Sequence, residues 1–274
     1  MLYQPDKWRA PAEQDDYVTT DHSRFESWLA ALDERHLANL TPSEVTRALR
    51  ALSSCYVERR EKLASGGPLE SAGKRAAFAL FYAPLHFLTV REIARALVGE
   101  PGQRTISSRQ VLDLGCGTGA AGAAWALTTL GRVTGYDVNP WAVQEAAWTY
   151  RTLGIEGRAR RSTLDRVQWA AAPSDLLAAF LVNELPADTR EALLPRLLDA
   201  IRDGHRVLVV EPISRRVAPW FSEWQSSFET AGGSAADWRF RVTLPPLVAR
   251  LDRATGLDHR ELTARTLSAG FRRT

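Results

Sequence analysis

Asp113 stands two residues ahead of Gly115, and Gly117 and Gly119 follow at alternate positions, in the run Val111-Leu112-Asp113-Leu114-Gly115-Cys116-Gly117-Thr118-Gly119-Ala120-Ala121-Gly122. Glycine lets a backbone take positive φ and lets a ligand come close without a Cβ in the way. The stretch Gly117 to Gly122 also fits G-x-G-x-x-G, the dinucleotide fingerprint, which by itself is a weak signal. Asp113 weighs the other way. A carboxylate there would repel a pyrophosphate, whereas a cationic ligand gains from it.

Other candidate residues follow at useful places. Asp137 closes the run Arg132-Val133-Thr134-Gly135-Tyr136-Asp137 and falls 22 residues after Gly115, close to the ~20 expected of a carboxylate that binds ribose hydroxyls. Asn183 and Glu184 follow the apolar run Asp175 to Val182. His86 lies within Phe81-Tyr82-Ala83-Pro84-Leu85-His86-Phe87, whose rings could cover a donor or stack a flat substrate. That stretch reads equally as core packing around a satisfied histidine. An acceptor amine would need only a carbonyl such as that of Asn183 to orient it. A hydroxyl would need a general base, for which Glu184 and His86 are the candidates.

The pattern apolar-apolar-Asp-x-Gly-x-Gly-x-Gly resembles motif I of the class I S-adenosylmethionine methyltransferases, with Asp113, Gly115, Gly117 and Gly119 at the defining positions. The resemblance implies S-adenosylmethionine as cofactor. Asp113 would serve its ammonium end, the glycines with Cys116 between them would pass beneath the methionine and ribose, and Asp137 would take the ribose. Val138 would flank the adenine, and Asp165 would reach its amino group or else be a solvated loop acid. Asn183 and Glu184 would border the transferable methyl.

The aromatic stretch 81–87, Asn183-Glu184-Leu185-Pro186 and Val209-Val210-Glu211-Pro212 also look like the small-ribosomal-subunit methyltransferase-like family. That family often carries a C-terminal cysteine cluster for a metal, and this chain has no cysteine after Cys116. No metal is therefore expected. The acceptor would be a small molecule or, alternatively, ribosomal RNA. A further alternative is a non-catalytic ribosome-assembly factor that keeps the fold.

The elements that must position these residues read as a Rossmann-like α/β fold, a doubly wound and mostly parallel sheet over 106–274. A helical N-terminal region, 1–105, precedes it as a substrate lid. Residues 1 to about 20 read as an irregular tail. Helices are expected near 22–38, from Phe25, Trp28, Leu29 and Leu32, and from Thr41, with Pro42 at the first helical position and Glu44 completing a capping box. Ser65-Gly66-Gly67-Pro68 punctuates the chain, a helix fills about 70–98 with a break or kink at Pro84, and 99–108 is a loop. Strands are expected at 111–114, 132–137, 157–164 on an exposed edge, 175–182, 205–212, 239–244 and 261–267. Asn139-Pro140 caps a helix after the second strand, and others cover 187–203, the run through Val217, Trp220, Phe221, Trp224 and Phe228, and 246–255.

Composition narrows the partners. The formal net charge is +3 with a sequence pI near 9.1, but nearly all the positive charge is arginine in an alanine-rich chain. The basic balance therefore reads as coding bias rather than as a nucleic-acid signature, and Arg158, Arg160 and Arg161 as a solvated face. The two cysteines, Cys55 and Cys116, suit a reduced, cytoplasmic protein. No apolar run approaches the ~20 residues of a membrane span, so no membrane partner is expected.

Overall fold

The structure, a computed structural model, describes residues 12–58, 69–99, 109–169, 171–214 and 218–271, the side chains of 12–21 and 55–58 excepted. Seven strands form one sheet in the order β3-β2-β1-β4-β5-β7-β6: β1 (Val111–Leu114), β2 (Val133–Asp137), β3 (Gly157–Arg161), β4 (Asp175–Ala179), β5 (Arg206–Glu211), β6 (Ser234–Phe240) and β7 (Leu262–Ala269). The first five run parallel, and β7 pairs antiparallel with both β5 and β6. The order reverses between β1 and β4. In doubly wound sheets ligands bind outside the carboxyl ends of strands at that switch.

Helices cover both faces because alternate strand residues feed opposite sides. Val111, Leu177, Leu208 and Val210 enter one core, while Leu112, Leu176, Ala178, Val207 and Val209 enter the other. The second core takes α7 (Ala187–Arg202) and α8 (Phe221–Thr230). The first holds α5 (Ala120–Thr129), every residue of which is buried. A helix apolar all round must be covered on all sides. The sheet covers α5 on one flank and α4 (Ala83–Val98) on another. Its alanines allow that close approach.

The N-terminal helices α1 (Ala12–Leu37) and α2 (Pro42–Glu58) add Phe25, Trp28, Leu32, Val45, Leu49 and Leu52 to this same core. The capping box forms as expected, with the Thr41 amide donating to Glu44 Oε2 at 2.8 Å and the Glu44 amide to Thr41 Oγ1 at 3.4 Å. In the same core α6 (Pro140–Thr152) receives α1, and α9 (Pro246–Thr255) packs on α2.

Several boundaries differ from the sequence reading. Residues 12–20 are helical rather than irregular, and residues 1–11, 59–68 (with the Ser65 to Pro68 punctuation) and 100–108 lie outside the described residues. Pro84 does not break its helix. A short α3 (Ala72–Ala77) runs through a π-helical turn, Phe78–Tyr82, into α4, with the Ala83 amide donating to the Phe78 carbonyl. The wider turn changes the carbonyl ladder just ahead of the proline, which has no N–H to give. β3 ends at Arg161 and β4 at Ala179, because Phe180 adopts φ +57 and turns the chain away. β6 lies at 234–240 rather than 239–244, so residues 241–244 are outside it. α8 begins only at Phe221, and Val217 falls outside the described residues.

Candidate functional site

A cavity of about 540 Å³ opens beyond the carboxyl ends of β1, β2 and β4, a size ordinary for a small-molecule site. Asp113, Gly115, Cys116, Gly117, Asp137, Val138, Asp165, His86, Asn183 and Glu184 all line it, so the structure brings together every expected residue but one. Gly119 lies beneath instead. Its position carries φ +78, and a Cβ there would come within 2.7 Å of the Tyr150 ring. Cβ atoms at Gly135 and Gly157 would collide with that same tyrosine. Tyr150, on α6, thus fills a hollow left by three glycines and supports the loop from below.

The loop is held to the sheet by Asp137. Its carboxylate accepts from the Gly117 amide at 2.9 Å and from the Asn139 amide at 2.8 Å. Asn139 in turn caps α6, its Oδ1 accepting from the Trp141 and Ala142 amides. Burial raises Asp137 above the ordinary carboxylate range. One role missed by sequence reasoning is therefore structural: the acid at the end of β2 clamps the glycine loop.

Asp113 is 1% exposed. Its Oδ2 accepts from the Gly122 amide at 3.1 Å. Burial pushes its pKa up to about 8, the Gly122 bond works against that, and the Asp137 charge adds to it. A buried carboxyl with so little compensation gains strongly from a cation. Burial likewise raises the Cys116 thiol, which faces away from reactivity as a thiolate.

Val138 is 58% exposed beside the cavity, an apolar side chain with room for a flat partner. Asp165 sits in a single 3-10 turn, Leu164–Arg166, after β3. It is exposed, and a hydrogen bond from the Thr163 side chain holds its pKa below the ordinary value.

At the other end, the chain leaving β4 makes a 3-10 turn over Val182–Glu184. Glu211, the last residue of β5, fastens that turn. Its Oε1 accepts from the Val182 amide at 2.7 Å and the Asn183 amide at 3.3 Å, and Oε2 from Asn183 Nδ2 at 2.6 Å. Asn183 Oδ1 accepts from Trp220 Nε1 at 3.0 Å. Both ends of the Asn183 amide are thus engaged within the protein. Glu211 itself is fully buried and lines the cavity. Its position as the acid before Pro212 was readable in the sequence, but the fact that it faces the β4 exit needed the sheet order.

His86 stacks on Phe180, centroids 4.0 Å apart at 14°. Burial lowers its pKa to about 3, so the imidazole stays neutral and is a weak base. Tyr82 and Phe78 stand about one and two turns earlier on the same helical stretch, with the Tyr82 ring 6.2 Å and the Phe78 ring 6.0 Å from that of His86. A Cβ at Gly117 would lie 3.7 Å from the Phe78 ring. The rings therefore run as one wall from above the glycine loop to the end of β4. Phe81 and Phe87, by contrast, are fully buried core residues.

Among the described residues no group of acids, histidines or cysteines could hold a metal ion, and no helix is long and apolar enough to cross a membrane.

Residues 111–204 match the family described as "Methyltransferase domain". An O-methyltransferase of Pyrenophora dematioidea is 25% identical over 150 residues, covering 53% of this chain and 54% of the relative. A ribosomal protein L11 methyltransferase of Shewanella pealeana is 26% identical over 128 residues, covering 46% of this chain and 42% of the relative. The chain thus spans about half the length of the curated relatives it matches. Among solved structures, the mitomycin 7-O-methyltransferase MmcR superposes with TM-score 0.50 and 14% identity, over 90% of this chain and 72% of that one, a likeness of fold.

Proposed function

From the methyltransferase domain carried by residues 111–204, we propose that this protein transfers a methyl group from S-adenosylmethionine to a small-molecule acceptor. The observation that carries this reading is the charge of the cavity. Its described lining holds five carboxylates, Asp113, Asp137, Asp165, Glu184 and Glu211, and no lysine or arginine. A donor with an ammonium and a sulfonium suits that lining, and a pyrophosphate does not.

The residues fit the donor. Asp113 is a buried acid whose pKa burial raises, with no cationic side chain beside it in the described lining. Gly117 is open to the cavity at the loop, and Val138 offers an uncovered apolar surface where the adenine would lie. Asp137, already clamping the loop, would accept from the ribose hydroxyls with its remaining lone pairs, and Asp165 stands near the adenine end. The donor supplies an electrophilic methyl group, so the chain's own contribution is alignment and exclusion of water. The ring wall from Phe78 to Phe180 performs the second task. Glu184 is the candidate to take a proton from the acceptor, since His86 is too weak a base and Asn183 is committed to Glu211 and Trp220. Helices α1 to α4 serve as cover for the site, α4 through these rings.

Methylation of ribosomal RNA is the second reading. What favours it is the row Arg158, Arg160 and Arg161, all exposed on the edge strand β3. The acid-lined cavity speaks against a polyanion at the acceptor position.

Calorimetric titration with S-adenosylmethionine, S-adenosylhomocysteine and NAD tests the proposal. Binding of the first two at about micromolar Kd, with NAD silent, is the expected result. Silence toward both sulfur compounds would overturn it. Salt-dependent binding of a short RNA at the same site would move the acceptor assignment to the second reading.

A further inference from the structure

The donor of the proposed methyl transfer accounts for Asp113, Asp137, Val138 and Asp165, at the ends of β1, β2 and β3. Beyond it the cavity continues along the rings of Phe78, Tyr82, His86 and Phe180. Resting on that reading of the site, we propose that the acceptor is a low-molecular-weight compound with a planar aromatic ring system, received against these four rings.

The burial pattern of the helical stretch comes first. From Ala76 to Val90 every residue is buried except Phe78, Tyr82 and His86, and those three line the cavity. They stand at intervals of four, which places them on one face. The uncovered face of a helix in a soluble fold is ordinarily polar, whereas this one is a stripe of rings. Such a stripe inside a cleft marks a ligand surface. It starts at the donor loop, since a Cβ at Gly117 would lie 3.7 Å from the Phe78 ring, and it ends on Phe180, stacked at 4.0 Å on His86. A molecule lying on the stripe therefore lies beside the donor.

The ring angles then select a flat occupant. His86 and Phe180 are nearly parallel, at 14°, while Phe78 stands at 82° to His86. A planar ring in that corner stacks on one wall and meets the other by its edge, the two arrangements that aromatic pairs favour. A puckered saturated ring of the same size matches neither wall. Burial takes the His86 pKa down to about 3, so this surface carries no imidazolium at neutral pH. Nearby polar groups are engaged within the protein: Asn183 with Glu211 and Trp220, and the Tyr82 hydroxyl with Ser53 Oγ at 3.0 Å. Recognition at this end accordingly falls to ring faces and shape.

The backbone is also bent to make the wall. In an α-helix each step of four residues overshoots a full turn by about 40°. The π turn over Phe78–Tyr82 is wider, which reduces that drift and brings the rings into line. Phe180 holds φ +57, a region bulky side chains rarely occupy. Strain of this kind gathers at ligand sites and persists only where the surroundings enforce it.

The experiment uses the full chain saturated with S-adenosylhomocysteine and titrated by calorimetry with 2-naphthol and decahydro-2-naphthol, which share a carbon skeleton and a hydroxyl and differ in planarity. The flat alcohol is expected to bind about tenfold or more tighter. His86→Leu should cut that preference about fivefold or more, and His86→Phe, which keeps a flat ring there, should retain it. Both variants should bind S-adenosylhomocysteine within about twofold of the wild type. Equal or tighter binding of the saturated alcohol, or no binding of 2-naphthol at about 1 mM, would overturn the aromatic proposal. So would a preference left intact by His86→Leu, because the flat alcohol would then be held elsewhere. In each of these cases intact S-adenosylhomocysteine binding would leave the methyltransferase reading standing. Failure of S-adenosylhomocysteine itself to bind would remove both.

Discussion

At the scale of single residues, the behaviour of Asp113 follows from its burial. With its pKa near 8, the acid is largely protonated at neutral pH. A bound cation favours the ionised form, so donor binding below pH 8 should expel a proton. Donor affinity is therefore expected to rise with pH up to about 8, where it levels off; calorimetry in two buffers of different ionisation enthalpy reads the released proton directly. The same raised pKa makes the folded protein bind a proton that the unfolded chain releases above 3.8, so Asp113 costs stability increasingly as pH rises from 3.8 toward 8. Asp113→Asn should remove both trends and weaken donor binding about tenfold or more; unchanged affinity would remove the acid from the donor site. Gly119 makes a different point. Its glycine is fixed from below, by φ +78 and by Tyr150 at 2.7 Å, not by a ligand. Gly119→Ala should cost about 2–4 kcal/mol in denaturant melts, against about 1 kcal/mol for Gly154→Ala, whose φ of +65 faces open space.

At the scale of elements, what the sequence carried is the parallel half of the sheet. β1, β2, β4 and β5 are apolar runs closed by glycines, acids or prolines, and local pattern suffices to place them. The same holds for the Thr41 cap and for Asn139-Pro140. The π turn, the left-handed Phe180 and the position of β6 were not legible, because each depends on partners far along the chain. β6 has mostly half-buried and exposed residues, and only pairing with β7 defines it. Glu211 is the instructive case for the site. Its acid-proline exit is visible at the end of β5, yet its role comes from β5 lying beside β4, which brings a fully buried carboxylate under the turn that presents Asn183 and Glu184. Glu211→Gln replaces an acceptor by a donor in that nest. Expected are a loss of about 1–3 kcal/mol of stability and a clear fall in turnover at saturating donor, while S-adenosylhomocysteine affinity changes little. Turnover equal to wild type would reduce Glu211 to a purely structural residue.

At the scale of the whole molecule, the question is how the N-terminal helices come to share one core with the sheet. Apolar burial joins α4 to α5, but α1 reaches α6 through a polar latch as well. Glu145, nearly inaccessible on α6, accepts from Arg35 Nε at 3.1 Å and bonds to His36 Nε2 at 2.7 Å, while the Arg35 guanidinium lies 4.9 Å from the Trp148 ring. Burial acts to raise the Glu145 pKa, and the bonds and charges of His36 and Arg35 outweigh it, leaving the group below its ordinary 4.5. A carboxylate lowered in the folded state contributes stability that is complete above 4.5 and is lost as pH falls through the lowered value. Glu145→Gln should therefore lower the Tm at pH 7, and the gap from wild type should close as pH falls below 4.5. Because Phe25 of α1 stacks on Phe87 of α4 and Trp28 packs on it at a tilt, loosening α1 should also reach the ring wall. The variant is thus expected to lose acceptor affinity while keeping donor affinity, since Asp113 and Asp137 stand on the sheet. A gap in Tm that persists undiminished well below pH 4.5 would show that the latch acts through packing rather than charge.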